Sequence, residues 1–205
     1  MHNYKLVVIG AHFGVWLKNE IDQCINQNVL LIEPVPYNYK ILQKEYSQYK
    51  NIKICTNALI DKNELKNFYF IKEKSIHKLG KHWASGIGSF DKQHILNHRN
   101  KRFKVTDEDI EIIKIEFITF DDLIKNYSIK SIEKLQIDVE GAEYKILSSI
   151  NFSKIDIKEI LFESKHFDGT FKEGKKLLEI EKKLTSFGYK LHKLNDENIL
   201  AKKVV

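Results

Sequence analysis

The chain has 205 residues, 42% hydrophobic and 30% charged, which predicts one soluble globular domain with a substantial core. No apolar run approaches the ~20 residues that a membrane span needs, and the opening MHNYKLVVIGAHFG lacks the layout of an export signal. The formal charge is +6, yet the basic residues are nearly all lysines scattered among Asp and Glu, whereas a phosphate-reading face should be clustered, so no nucleic-acid partner is expected. Cys24 and Cys55 stand without C-x-x-C spacing, which fits a reducing, cytoplasmic setting and supplies no zinc motif. Oligomeric state is not legible.

In chain order, YKLVVIG (4–10) reads as a buried strand, with helical spacing following over about 13–25. NVLLIE (28–33) is a second strand closed by Pro34, 37–46 a helix, and NIKICTNAL (51–59) a third strand. Strands alternating with helices predict a mostly parallel sheet covered on both faces. FYFIK (68–72) suits a strand. The stretch 75–101 has little periodicity and reads as a long loop with a helical turn or two. IEIIKIEFIT (110–119) suits a strand, FDDLIKNY a short helix, LQIDV the fourth core strand and IKEILFE (157–163) the fifth. An amphipathic helix over 175–187 precedes GYKLHKL-NDEN-ILAKKVV, a hairpin.

In an open parallel sheet, ligands bind beyond the carboxyl ends of the strands. The first strand ends in GAHFG (10–14), where Gly10 suits a tight turn and Gly14 a helix start close to a ligand. This is neither a dinucleotide fingerprint nor a P-loop. Glu33, ending the second strand, can accept hydrogen bonds from a ribose diol. An acid without a phosphate cradle suits a cofactor with ribose and no phosphate, such as S-adenosylmethionine. In LQIDVEGAEYKIL (135–147), strand spacing would turn Asp138 and Glu140 to one side. Gly141 permits a turn, and Glu143 falls in the first turn of a helix, where the dipole favours an acid.

IGAHFG, LLIEPVPYNYKIL, NAL and above all LQIDVEGAEYKIL, with FITFDDL and ILFE, resemble the FkbM-type, class I, S-adenosylmethionine-dependent methyltransferases over most of the chain. The resemblance implies one α/β Rossmann-like domain over 1–205, its seven-stranded sheet ending in an antiparallel strand. It also implies cofactor contacts from Gly10, Ala11, His12, Phe13, Gly14, Glu33 and Pro34, with Asn57 and Ala58 near the adenine. Asp138 and Glu140 would lie near the methionine end. Where the family carries an acidic residue before the glycine loop, this chain has Val8-Ile9.

The expected reaction is O-methylation of a hydroxyl on a small molecule, sugar or glycan. Two other readings fit the residues: a silent nucleoside-binding regulatory domain and a nucleotide-sugar-dependent transferase. The segment 75–104 would form a substrate lid, with Trp83 and Ser85 suiting a sugar and Arg99 and Arg102, beside Lys92, Lys101 and Lys104, suiting an anionic acceptor. Glu163 and His166 follow the fifth strand, and with Asp138 they are the candidate bases, His166 first because its ordinary pKa suits proton removal. His94 and His98 have metal-binding spacing, but the sequence offers no evident third ligand, so no metal is expected.

Overall fold

A computed structural model describes residues 1–98, 104–165, 167 and 174–204. The chain begins with β1 (His2–Ile9), α1 (Lys18–Gln23), β2 (Val29–Ile32), α2 (Pro36–Glu45) and β3 (Ile52–Cys55). An insertion follows: β4 (Ala58–Leu59), β5 (Glu64–Ile71), α3 (Glu73–Leu79), a 3-10 turn over His82–Gly86, β6 (Gly88–Ser89), α4 (Lys92–Asn97) and β7 (Ile110–Ile118). The chain then returns through α5 (Phe120–Asn126), β8 (Ile129–Ile137), α6 (Glu143–Ser149), β9 (Asp156–Glu163), α7 (Lys175–Ser186), β10 (Tyr189–Lys193) and β11 (Asn198–Lys203).

Seven strands form the main sheet in the order β10-β11-β9-β8-β1-β2-β3. Its central pairings are parallel, and β11 runs antiparallel to both β9 and β10. Alternation along β1 explains its unbroken apolar run. Val7 and Ile9 enter a cluster with Ile146, Leu147, Ile180 and Leu184 from α6 and α7. Leu6 and Val8 join Ile21 of α1 and Leu42 of α2 on the other face. Both faces are covered, so neither tolerates a polar side chain. The fold class is the one expected from the sequence: α/β, mostly parallel, with an antiparallel C-terminal strand. No helix among the described residues is long and apolar enough to cross a membrane.

Three local expectations change. The run 51–59 is not one strand: β3 stays in the main sheet, while β4 pairs in parallel with β7 in a second sheet, ordered β4-β7-β5-β6. That sheet's Phe68, Phe70 and Phe117 pack with Val35 and Ala58 beside the strand ends of the main sheet. The helix expected from residue 13 begins only at Lys18, because Gly10, His12 and Gly14 all adopt positive φ, which no helix accommodates. The stretch read as a long loop contains α3, β6 and α4, and buries Ala84, Ile87, Ile95 and Leu96 in a core of its own.

Candidate active site

The sheet runs outward in opposite directions from β1 and β8, so the switch point lies at their carboxyl ends. Gly10 takes φ 89°, and the Asp138 amide donates to the Ile9 carbonyl at 2.9 Å. A Cβ on Gly10 would lie 1.7 Å from the Asp138 carbonyl oxygen, so the two strand exits meet only because that position is glycine. Gly14 takes φ 82°, and a Cβ there would lie 2.9 Å from the Leu42 side chain of α2, so the glycine lets α2 approach the loop.

Two neighbouring lobes open here, enclosing about 510 and 910 Å³ including the space open to solvent. Gly10, Glu33, Gly86 and Asp138 line both. The first lobe is mainly apolar, with Pro34, Ala58, Leu59, Phe68, Phe90 and Phe117 on its walls. The second is polar and includes His12, Trp16, Trp83, Glu140 and Glu163.

Glu33 sits between the lobes and is only 4% exposed. Its carboxylate accepts from the His12 amide at 2.8 Å and the Val35 amide at 2.9 Å. Burial pushes its pKa up to about 7, against the opposing pull of Val35, His12 and Asn38. Each carboxylate oxygen accepts two hydrogen bonds, so these contacts do not exhaust Glu33. Asn38, buried and drawn from α2, donates to the Ser85 carbonyl at 2.8 Å. Ser85 also pairs through its hydroxyl with His12 Nε2. It ties the inserted segment to the glycine loop and is not among the residues lining either lobe.

The three carboxylates after β8 have three different roles. The strand ends at Ile137, so Asp138 and Glu140 do not alternate along it as spacing suggested. Asp138 lines both lobes, while Glu140 takes a left-handed φ of 55° and reaches the polar lobe. Glu143 is fully buried and turns back to accept from the Val139 amide at 2.7 Å and the Gly141 amide at 2.9 Å. Closing this turn is a larger task than the helix-dipole role expected of it. Burial raises its pKa to about 8, with Asp138 and Glu140 adding to the rise and the Val139 amide opposing it. Ligand oxygens of Asp138, Glu143 and Glu163 all lie within 4.8 Å of one another.

Among the expected site residues, Gly10, Ala11, His12, Glu33, Pro34, Ala58, Trp83, Asp138, Glu140 and Glu163 line one lobe or the other. Phe13 packs against His12 with the ring planes tilted at 54° and the centroids 4.1 Å apart, and Asn57 donates to the Glu116 carbonyl at 3.1 Å. Neither is among the lining residues. His166, Arg99, Lys101 and Arg102 lie outside the described residues. Sequence reasoning passed over Asn38 and Trp16. Trp16 carried a signal: a large aromatic directly after a glycine turn, 70% exposed in the structure. Asn38 carried none, because its partners come from distant segments.

A model of the methyltransferase FkbM domain matches residues 9–191. No curated protein sequence matches the chain. Among solved structures, similar ones include a fibrillarin pre-rRNA processing protein of Methanococcus jannaschii (TM-score 0.46, 12% identity, covering 98% of this chain and 67% of that one). Precorrin-6y C5,15-methyltransferase from Geobacter metallireducens gives 0.46 and 9%, covering 99% and 82%. Aeropyrum pernix fibrillarin with natively bound S-adenosyl-L-methionine gives 0.45 and 11%, covering 97% and 66%.

Proposed function

The chain belongs to the FkbM methyltransferase family, whose methyl donor is S-adenosylmethionine, and from that premise we propose that it methylates a hydroxyl of a sugar or glycan. One observation carries the choice of acceptor: Trp16 and Trp83 share the polar lobe with Asp138, Glu140 and Glu163. Indole faces cover the apolar face of a sugar ring, while carboxylates accept from its hydroxyls. The apolar lobe suits the donor's adenine, and Glu33, where the lobes meet, suits its ribose diol.

Methyl transfer is a displacement in which the acceptor oxygen attacks the methyl carbon as the carbon–sulfur bond breaks, leaving the neutral thioether. The acceptor's proton must leave in the same event, and positioning supplies much of the rate. Asp138 stands at the junction of the lobes and orients the donor's methionine end. Glu163, at the end of β9, is our candidate for the group that takes the proton. His166 follows it by three residues and is the second candidate.

The test is methyl transfer from labelled S-adenosylmethionine to a panel of glycosides, phenols and nucleosides. Transfer to glycosides is expected, and Trp16→Ala should raise the acceptor KM about tenfold or more, consistent with losing a stacking contact. Its affinity for S-adenosylhomocysteine should stay unchanged. Turnover confined to phenols or nucleosides, or a Trp16→Ala enzyme with unaltered KM, would overturn the sugar reading.

A further inference from the structure

α4 ends at Asn97, and His98 continues its helical geometry at φ −64°, ψ −25°. The four-residue spacing therefore sets His94 and His98 on one face, with ring centroids 5.4 Å apart and planes at 81°. Both imidazoles are buried, at 3% and 0% exposure. A carboxylate from a segment remote in sequence meets them. Glu140 leaves β8 through its left-handed turn, and its Oε2 lies 3.8 Å from His94 Nε2. One ligand atom from each of the three side chains falls within 4.8 Å of the others. For comparison, tetrahedral zinc with bonds of ~2.0–2.2 Å holds its ligand atoms ~3.3–3.6 Å apart.

We propose that His94, His98 and Glu140 form a binding site for a zinc-class divalent cation that ties α4 to the turn between β8 and α6. Donor chemistry selects the class. Two imidazoles and one carboxylate suit zinc and its transition-metal neighbours, whereas magnesium and calcium take oxygen ligands. Two histidines on one helix face with an acid from elsewhere is a recurrent way to build such a site. The left-handed backbone at Glu140 is uncommon for a non-glycine residue and costs energy, which a ligand bond repays at such a position. The cation would hold the inserted segment against the turn that carries Asp138, beside the polar lobe. Glu140 also lines the polar lobe, whereas neither histidine is among the residues lining the lobes, so the cation site is tested by metal uptake without any acceptor.

The full chain, stripped with a chelator and dialysed, should take up one Zn²⁺ in competition with a chromophoric chelator. Co²⁺ in its place should give the intense visible bands of a four-coordinate ion, and Zn²⁺ but not Mg²⁺ should raise the melting temperature. His98→Gln should abolish uptake. Glu140→Gln, which keeps the side-chain shape, should weaken it by more than the ~10–100-fold typical of an outer-shell change. Absence of stoichiometric uptake would overturn the site, as would uptake equal in parent and variants, which would put the ion elsewhere. Calorimetry of the parent with S-adenosylhomocysteine, run in parallel, separates failure of this site from failure of the donor site.

Discussion

In the donor site proposed here, Glu33 meets two opposed demands. It is buried deeply enough to hold its carboxyl near pKa 7, yet a ribose diol is bound best by the ionised form. Donor binding should therefore be coupled to proton release. The affinity for S-adenosylhomocysteine is expected to rise with pH through 7, weakening by up to ~10-fold for each unit below it. Glu33→Gln should remove that dependence and weaken binding above pH 7 by about 10–100-fold, the equivalent of losing charge-assisted hydrogen bonds. Calorimetry at several pH values decides the matter. An unaltered pH slope in the variant would take Glu33 out of the donor site.

The turn joining β8 to α6 is held from below by Glu143, and the sequence could not have said so. LQIDV is legible as a strand because burial on both faces demands an apolar run, and GAE is legible as a turn because glycine interrupts it. The direction of the Glu143 side chain depends on which amides the turn leaves open, a tertiary matter. The same limit hides α3 and α4, which are too short, at seven and six residues, to show a helical period. It also hides Glu140 as a companion to His94 and His98, since more than forty residues separate them. Glu143 further makes stability depend on pH. Its folded pKa of about 8 exceeds the ordinary 4.5, so the fold retains a proton that the unfolded chain releases. That contribution is complete below pH 4.5 and is lost as pH rises through 8. Urea midpoints should fall over that window, with a shallower fall in Glu143→Gln, where no proton is exchanged. Glu143→Ala should cost more at every pH, roughly 1–3 kcal/mol for each of two amides left without an acceptor. Parallel pH profiles for parent and Glu143→Gln would contradict the assignment.

At the scale of the molecule, two sheets divide the labour. The main sheet supplies the strand ends, and the second sheet, through Phe68 and Phe117, walls the apolar lobe. The parallel core was legible from β1, β2, β8 and β9, each an apolar run with a turn signal at its end. The second sheet was not, because β4 contributes only two residues and its parallel pairing with β7 spans nearly sixty positions of sequence. One feature of the main sheet bears on the order in which the protein is made. β11 follows β10 in the chain, slots between β9 and β10 and pairs with both. Until Asn198–Lys203 leave the ribosome, β9 has an unpaired edge and β10 has no neighbouring strand among the described residues. Such edges invite association with other chains. Glu163 is opposite Asn198 in this pairing, and the Ser164 amide donates to the Glu197 carbonyl at 2.7 Å. The end of β9 is thus fixed by a segment synthesised after it. A chain truncated after Leu194 should aggregate or unfold without cooperativity, and a soluble, cooperatively melting truncation would refute this. In the site proposed here, Glu33 and Asp138 are synthesised before the segment that fixes Glu163, so the proposed proton acceptor would be held in position later than the groups proposed to hold the donor.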